Sequence, residues 1–292
     1  MLNRLSRRGF ISRAGFGLAG LSLGVGLGRA AAKGDPEPTM VPFDPANFID
    51  PTLSTSLYHP TRPGMQWLRA GTTEIGARKI PHSILTTMTD VMRTINGVPA
   101  VAMLDQSTDA GEISQVGFDY LAIDKTGNLW IMGGYTEDFE GGAFIDVENA
   151  WLGTSYGGVP GILVPAVVTM DTPRWLIGTP GADEQPSVAE PVEIGITTKV
   201  PFGEYSDVRA IREGAIHAID NEIKYYAPGV GVILNVPKDD SLHQDYFELV
   251  NLLDLTPEGL AEQSQVVLDL EEHARQLGEE AYVDAPKAAR RS

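Results

Sequence analysis

The chain contains no cysteine among its 292 residues. This excludes disulfide bonds, thiolate metal ligands, a thiol nucleophile and a lipid-modified cysteine anchor. Histidine is scarce as well, because the five histidines are scattered and no two have the i, i+2 or i+4 spacing of a metal-ligand pair. Zinc and redox metals are therefore not expected, whereas calcium, which binds through oxygen atoms alone, stays open.

The chain also lacks the motifs of common hydrolase, metalloprotease and nucleotide-binding classes. It contains no G-x-S-x-G elbow, no H-E-x-x-H segment, no P-loop and no Rossmann fingerprint. Basic residues are scarce, since 22 Lys and Arg face 39 Asp and Glu. A chain this acidic repels nucleic acid and anionic lipid, so we expect no nucleic-acid partner. We also expect no resident cofactor.

The first 32 residues have the pattern of an export signal. Ser6-Arg7-Arg8-Gly9-Phe10-Ile11 is a twin-arginine motif, and a glycine-rich apolar run and the small residues Ala30-Ala31-Ala32 follow it. The apolar run is shorter than the roughly twenty residues of a membrane-spanning helix. The sequence therefore predicts a twin-arginine signal at 1–32, a secreted or periplasmic protein, and no stable membrane insertion after cleavage. The mature chain would carry a net charge of −22.

Composition and periodicity divide the rest of the chain into four parts. A Pro- and Asp-rich leader precedes a long region of short β segments, which is followed by one amphipathic helix and a polar end. Thr256 and Gly278 fit the N-terminal and C-terminal caps of that helix. We therefore predict a flexible leader (33–45), a β domain (46–250), a C-terminal helix (251–280) and a disordered tail (281–292).

Turn signals recur at short intervals through the β region. Asn96-Gly97 is a strong hairpin signal, and the turn at 125–128 separates an alternating strand at 118–123 from the apolar strand through Trp130. The region has no helical segments long enough for the crossovers of a parallel sheet. The sequence therefore predicts a mainly β fold, either a curved antiparallel sheet or a half-open β-barrel, with a C-terminal α-helix.

Two segments carry a resemblance to a known family. Residues 118–133 read Phe-Asp-Tyr-Leu-Ala-Ile-Asp-Lys-Thr-Gly-Asn-Leu-Trp-Ile-Met-Gly, and residues 224–231 read Lys-Tyr-Tyr-Ala-Pro-Gly-Val-Gly. They resemble the motifs D-[WY]-x-A-x-D-x-x-G-N-x-W and K-Y-Y-A-P-G-V-G of a family of exported bacterial β proteins with no assigned activity. The resemblance covers about 47–250, and Tyr120 stands where the family has tryptophan. It implies a curved antiparallel sheet, distantly similar to the half-barrels of lipoprotein carriers.

The leading functional hypothesis is a secreted binding protein. A curved sheet would hold a small apolar or amphipathic molecule on its concave face, with the C-terminal helix as its cover. Aromatic side chains near the two motifs are the expected lining of this face, namely Tyr120, Trp130, Tyr225 and Tyr226.

Two other classes of function remain open. A cofactor-free hydrolase or isomerase would need paired carboxylates with a titratable partner, and the candidates are Asp119, Glu222, Asp183, Glu184 and His217. A structural or surface-interaction domain would need no pocket. The oxygen-rich loop at 124–128 is the candidate for calcium, although a plain hairpin turn held by Asp124 is the simpler interpretation.

Overall fold

The computed structural model describes residues 37–53, 56–75, 78–216, 222–237 and 245–291. The predicted signal at 1–32 and the candidate base His217 lie outside these ranges. Within them the chain forms strands β1 (Phe48–Ile49), β2 (Met65–Ile75), β3 (Arg78–Ile95), β4 (Val98–Asp109), β5 (Glu112–Asp124), β6 (Leu129–Glu140), β7 (Ala143–Leu152), β8 (Val159–Val164), β9 (Trp175–Thr179), β10 (Ser187–Val200), β11 (Gly203–Ala215), β12 (Glu222–Ala227), β13 (Gly231–Pro237), β14 (Tyr246–Asp254) and β15 (Ala289–Arg290). The helices are α1 (Pro257–Leu277) and α2 (Glu280–Val283), and short 3-10 helices span Pro45–Asn47, Pro51–Leu53 and Ser155–Gly157.

Twelve of these strands close into an antiparallel barrel. The strand order is β5-β4-β3-β2-β14-β13-β12-β11-β10-β9-β8-β6, and β6 also pairs with β5, which completes the ring. Strands β1, β7 and β15 add to the ring by pairing with β5, β6 and β3. The predicted mainly β fold with a C-terminal helix is confirmed, and the barrel is closed rather than half-open.

Local turn chemistry explains the tight hairpins. Asn96 and Gly97 both have positive φ (49° and 83°), as a two-residue turn between β3 and β4 requires. At the β5–β6 turn, Asp124 Oδ1 accepts hydrogen bonds from the backbone N–H groups of Thr126 (2.9 Å) and Asn128 (3.0 Å). Both predicted hairpins therefore form where the sequence indicated them.

Helix α1 covers the outer face of β3, β4, β5 and β6. The Thr256 hydroxyl accepts a hydrogen bond from the backbone N–H of Gly259 (3.2 Å), and Gly278 ends the helix in a left-handed conformation. The apolar side chains of Val267 and Leu270 are buried against the barrel. Amphipathic spacing of this kind is typical of a helix that packs on a sheet.

The segments on either side of the barrel are more ordered than the sequence indicated. In the predicted leader, Thr39 forms a β-bridge with Trp175 and its N–H donates to the carbonyl of Arg174 (2.7 Å). In the predicted disordered tail, residues 281–291 continue from α2 into β15, and the guanidinium of Arg290 binds Asp90 (2.8 Å). Composition alone missed these contacts because their partners are distant in the chain.

Among the described residues, no helix is long and apolar enough to cross a membrane.

Candidate functional site in the barrel interior

The alternation of strand β5 separates two buried surfaces. The hydroxyl of Tyr120 donates a hydrogen bond to Glu271 of α1, so Tyr120 points to the outside of the barrel. Its neighbour Asp119 points to the opposite face, the interior, because successive side chains of a strand alternate. Directly paired residues share a face, which assigns the interior positions of the other strands.

One interior row of residues runs across five strands. The paired residues, from β3 to β7, are Met88, Met103, Asp119, Gly134 and Trp151. All five residues belong to described strands. Met88, Met103, Asp119 and Trp151 are each 5% exposed or less. In this row, the carboxyl group of Asp119 and the position of Gly134, which has no side chain, lie between the apolar methionines and the aromatic ring of Trp151.

A charged group lies on the neighbouring strands β2 to β4. The guanidinium of Arg69 donates to the hydroxyl of Thr86 (2.7 Å) and to the carbonyl of Val232 (2.8 Å), and the Thr86 hydroxyl in turn donates to Asp105. Burial lowers the pKa of Arg69 to about 10, and burial raises the pKa of Asp105 against the opposing effects of Thr86 and Arg69.

A second charged group lies on β11 and β12. The ammonium group of Lys224 pairs with Glu213 at 3.0 Å, and the hydroxyl of Tyr226 also donates to Glu213. Burial raises the pKa of Glu222 to about 7, although the nearby Lys224 favours the ionised carboxylate. The Oε1 atom of Glu222 is buried and has no hydrogen-bond partner.

Asp119 is electrostatically linked to both groups. Burial raises the pKa of Asp119 well above its usual value, the charge of Asp105 raises it further, and Lys224 opposes both effects. Lys224 also acts on Asp105 and Glu222, so the interior charges form one coupled cluster. In this cluster Asp105, Asp119, Glu213 and Glu222 face the basic groups of Arg69 and Lys224, and the charge of Asp245 also acts on Glu222.

A histidine with two acidic neighbours lies farther along β3. His82 Nδ1 is 2.8 Å from Asp109 Oδ1, and His82 Nε2 is 3.6 Å from Asp245 Oδ2. The histidine ring is fully buried. Its neighbours come from β4 and from the residue just before β14, so no local spacing in the sequence indicated the group.

The end of the barrel near Trp67 is covered by residues 56–62. The Trp67 indole donates to the carbonyl of Val230 (2.7 Å), and the N–H of Gly229 donates to the carbonyl of Leu57 (2.7 Å). His59 is buried next to Trp67, and burial together with Arg69 lowers its pKa to about 4. This segment therefore holds an uncharged imidazole against the interior.

The five candidate catalytic residues do not form one site. Asp119 and Glu222 both face the interior, but Asp183 and Glu184 lie on an exposed loop between β9 and β10. His217 lies outside the described residues. Trp130 does not contribute to the burial of Asp119, because Trp130 points to the outer face, packed edge-on against Phe43 and Phe48.

The four aromatic residues expected to line one concave face do not share a face. Tyr226 is in the interior, whereas its neighbour Tyr225 is half-buried on the outside. Tyr120 is fully buried beneath α1, and the Trp130 indole N–H donates to Asp124 (2.9 Å). The predicted common lining is wrong, because strand alternation separates its members.

The candidate calcium loop is held by protein hydrogen bonds. Both oxygens of Asp124 accept from protein donors, including the side chains of Thr126 (2.6 Å), Asn128 (2.8 Å) and Trp130 (2.9 Å). These bonds lower the pKa of Asp124 despite its partial burial. In the part of the chain that the structure describes, no group of three or more His, Asp or Glu side chains has the arrangement of a metal site.

The functional candidates that the sequence did not indicate are polar residues at interior positions of the strands. They include Arg69, Asp105, Asn149 and Glu213. A polar side chain at an inward position of an alternating strand is the signal that was available. That signal becomes useful only when the inward face is known.

The protein is thus a closed twelve-stranded antiparallel barrel with a charged interior. No family model matches it, and no curated protein matches its sequence. Two solved structures are similar: a predicted exported protein with a YmcC-like fold from Bacteroides fragilis (TM-score 0.38) and a predicted lipoprotein from Parabacteroides distasonis (TM-score 0.30). Each is 13% identical, and each comparison covers 68% of this chain and 99% of the other. Likenesses this distant carry no functional argument, so the family resemblance stays a prediction.

Proposed function

We propose that this chain is an exported protein that binds a small amphipathic molecule inside its barrel. The observation that carries the proposal is a set of buried interior polar atoms without hydrogen-bond partners, namely Glu222 Oε1, Asn149 Nδ2 and Oδ1, and Trp151 Nε1. Buried polar groups in native proteins are nearly always paired, and an exception calls for an explanation. A bound molecule that pairs these atoms is the explanation we favour.

The size of the barrel supports binding rather than a purely structural role. Eight strands enclose a space that side chains can fill, and the diameter grows with the number of strands. This barrel has twelve. A filled structural interior would also be expected to be apolar, because each buried charge needs compensation.

The mixed character of the interior favours an amphipathic molecule. Met88, Met103, Leu121 and Ile131 provide apolar surface on β3 to β6, whereas Asp105, Lys224 and Glu222 provide charge. A purely apolar molecule would leave the polar atoms unpaired. Export rests on the twin-arginine pattern Arg7-Arg8 in the sequence.

Native mass spectrometry of the protein purified from its own secretions tests the proposal. We expect a small molecule in about 1:1 ratio with the chain. Glu222→Gln keeps the side-chain shape but removes the interior carboxylate, so we expect it to reduce the bound fraction. Glu204→Gln, on the exposed start of β11, is the matched control and should retain the ligand. A chain that is always empty, and whose melting temperature does not shift with any amphiphile, would contradict binding.

A second candidate function is acid–base catalysis on the bound molecule. The pKa of Glu222, about 7, is that of a group able to give and take a proton near neutral pH. Incubation of the extracted molecule with fresh protein, followed by mass spectrometry, distinguishes the two functions. A product mass absent with Glu222→Gln would support catalysis, whereas an unchanged mass supports binding alone.

A further inference from the structure

Gly134 forms a recess in the interior wall where polar side chains meet. A Cβ atom at Gly134 would lie 2.4 Å from Asp119 Oδ1 and 3.3 Å from Asn149 Nδ2. Trp151 is the direct cross-strand partner of Gly134 on β7. We call Asp119, Gly134, Asn149 and Trp151 the Gly134 recess.

Two side chains at the recess have buried polar atoms that form no hydrogen bond with the described part of the protein. Asn149 is 7% exposed, and both its amide nitrogen and its amide oxygen are buried without a partner. Trp151 is 2% exposed, and its indole N–H is likewise without a partner. The recess therefore offers one unused donor group and one unused acceptor, both on Asn149, and the cross-strand neighbour Trp151 adds a second unused donor.

We propose that the Gly134 recess binds the head group of the amphipathic ligand, and that this head group is uncharged and carries hydroxyl or carbonyl oxygens. The inference rests on the proposed function, since it assigns the polar end of the molecule bound in the barrel. A hydroxyl-bearing head group accepts from Asn149 Nδ2 and Trp151 Nε1 and donates to Asn149 Oδ1. Such a group pairs each unused atom.

The charges around the recess argue against the two ionic alternatives. A cationic head group has no acceptor for the N–H groups of Asn149 and Trp151. An anionic head group meets the charge of the nearby Asp105, which also raises the pKa of Asp119, while Lys224 is already paired with Glu213 at 3.0 Å. Burial and the charge of Asp105 raise the pKa of Asp119 well above its usual value, which favours the protonated carboxyl, and a protonated carboxyl is a further neutral donor.

The interior row also places apolar surface next to the recess. Met103 is the direct partner of Asp119, and Met88 is the direct partner of Met103. Both methionines are buried, and unbranched thioether side chains adapt to irregular apolar surfaces. The tail of the ligand lies along Met103 and Met88 when its head group is in the recess.

Titration with three amphiphiles of one chain length tests the head-group assignment. The probes are a monoacylglycerol, the corresponding fatty acid and the corresponding alkyltrimethylammonium salt, each below its critical micelle concentration at pH 7. We expect the monoacylglycerol to bind to the wild-type protein about tenfold more tightly than either ion, which corresponds to one or two well-made hydrogen bonds. Isothermal titration calorimetry gives the three affinities.

Two variants locate the binding site. Gly134→Ala adds a methyl group 2.4 Å from the position of Asp119 Oδ1, so the Asp119 carboxyl must move, and Asn149→Leu removes both amide groups at similar volume. We expect either change to weaken monoacylglycerol binding about tenfold. Gly203→Ala is the matched control, because its added Cβ would make only ordinary contacts, at 3.7 Å, with the ring of Tyr205. Circular dichroism establishes that each variant is folded, and Asn149→Leu carries the test if Gly134→Ala is not.

The possible outcomes distinguish failure of the recess assignment from failure of the proposed function. Binding that persists unchanged in Gly134→Ala and Asn149→Leu would overturn the recess while leaving binding in the barrel intact. Equal or tighter binding of a charged amphiphile would overturn the uncharged head group. Absence of binding for every amphiphile, together with a chain that is empty on isolation, would overturn the proposed function itself.

Discussion

Two buried polar networks lie on opposite faces of the same strands, and they differ in how completely they are paired. Beneath α1, the carboxylate of Glu271 pairs with Arg93 (2.7 Å) and accepts from Tyr120 and from the backbone N–H of Ala288 (3.2 Å). In the interior, Glu222, Asn149 and Trp151 keep buried polar atoms without partners. The carboxylate of the outer network is satisfied, although Arg93 Nε in that network has no partner, whereas the inner network leaves a carboxylate oxygen, an amide and an indole N–H unpaired.

The difference indicates different roles for the two networks. A fully paired buried carboxylate fixes the position of the elements that it joins, here α1, β3 and β5. An incompletely paired network reduces stability unless a further group completes it. We therefore assign a structural role to the outer network, and we assign the inner network to the proposed binding site.

The largest expected effect comes from breaking the outer network. Glu271→Gln leaves the buried guanidinium of Arg93, which is 3% exposed, without an opposing charge. We expect the free energy of unfolding to fall by about 3–5 kcal/mol, as for other buried pairs that lose one partner. Urea denaturation measures the loss.

The neighbouring residue supplies the control for this prediction. Glu272→Gln removes an exposed carboxylate that pairs with Lys287 (2.8 Å), and we expect its denaturation midpoint to stay near that of the wild type. If the two variants lost the same stability, the outer network would not hold the helix in the way described.

The inner network should instead make stability depend on pH. The pKa of Glu222 is about 7 in the folded protein, above its ordinary value of 4.5, so the unfolded chain loses this proton first as the pH rises. The contribution of Glu222 is therefore full below pH 4.5 and falls by about 3 kcal/mol between pH 4.5 and 7. Asp119, whose pKa burial also raises, acts in the same direction.

Glu222→Gln removes this titration. We expect the variant to lose less stability than the wild type between pH 4.5 and 7, and to be the more stable of the two at pH 7. Urea denaturation at several pH values measures both curves, with Glu204→Gln as the exposed control. Parallel curves for wild type and Glu222→Gln would show that Glu222 does not carry this dependence.

The local parts of the fold were predictable from short patterns. Asn96-Gly97 indicated its hairpin because positive φ at both positions restricts the choice of residues. Thr256 and Gly278 likewise marked both ends of α1. Closure of the barrel was not predictable in this way, since the pairing of β2 with β14 joins residues almost two hundred positions apart and has no local signal.

The candidate site was predictable only in part, for a related reason. Alternation placed Asp119 and Tyr120 on opposite faces, but it did not show which face becomes the interior. Alternation also separates Tyr225 from Tyr226, so the four aromatic residues assigned to one concave face could not all share it. The place of Asn149 and Trp151 in the candidate site follows only from the pairing of β7 with β6, which brings them beside Gly134.

Tyr225 and Tyr226 lie on opposite faces of β12, so substitutions at these two positions compare the outer face with the interior. Tyr226 donates its hydroxyl to the buried carboxylate of Glu213, so Tyr226→Phe leaves that acceptor less satisfied. We expect a loss of about 1–3 kcal/mol in the free energy of unfolding. Tyr225→Phe, on the outer face, should cost less than about 0.5 kcal/mol. Equal losses from the two substitutions would contradict the assignment of Tyr226 to the interior.

The smallest expected effect separates the stability of the helix from binding in the interior. Thr256→Ala removes the hydroxyl that accepts from the N–H of Gly259 (3.2 Å), and loss of such a cap lowers the free energy of unfolding by about 1 kcal/mol. Because α1 packs on the outer face, we expect native mass spectrometry to find the same bound fraction as in the wild type. A bound fraction that falls with this substitution would mean that α1 shapes the interior, since the cap itself touches no interior side chain. The division between an architectural outer face and a binding inner face would then be wrong.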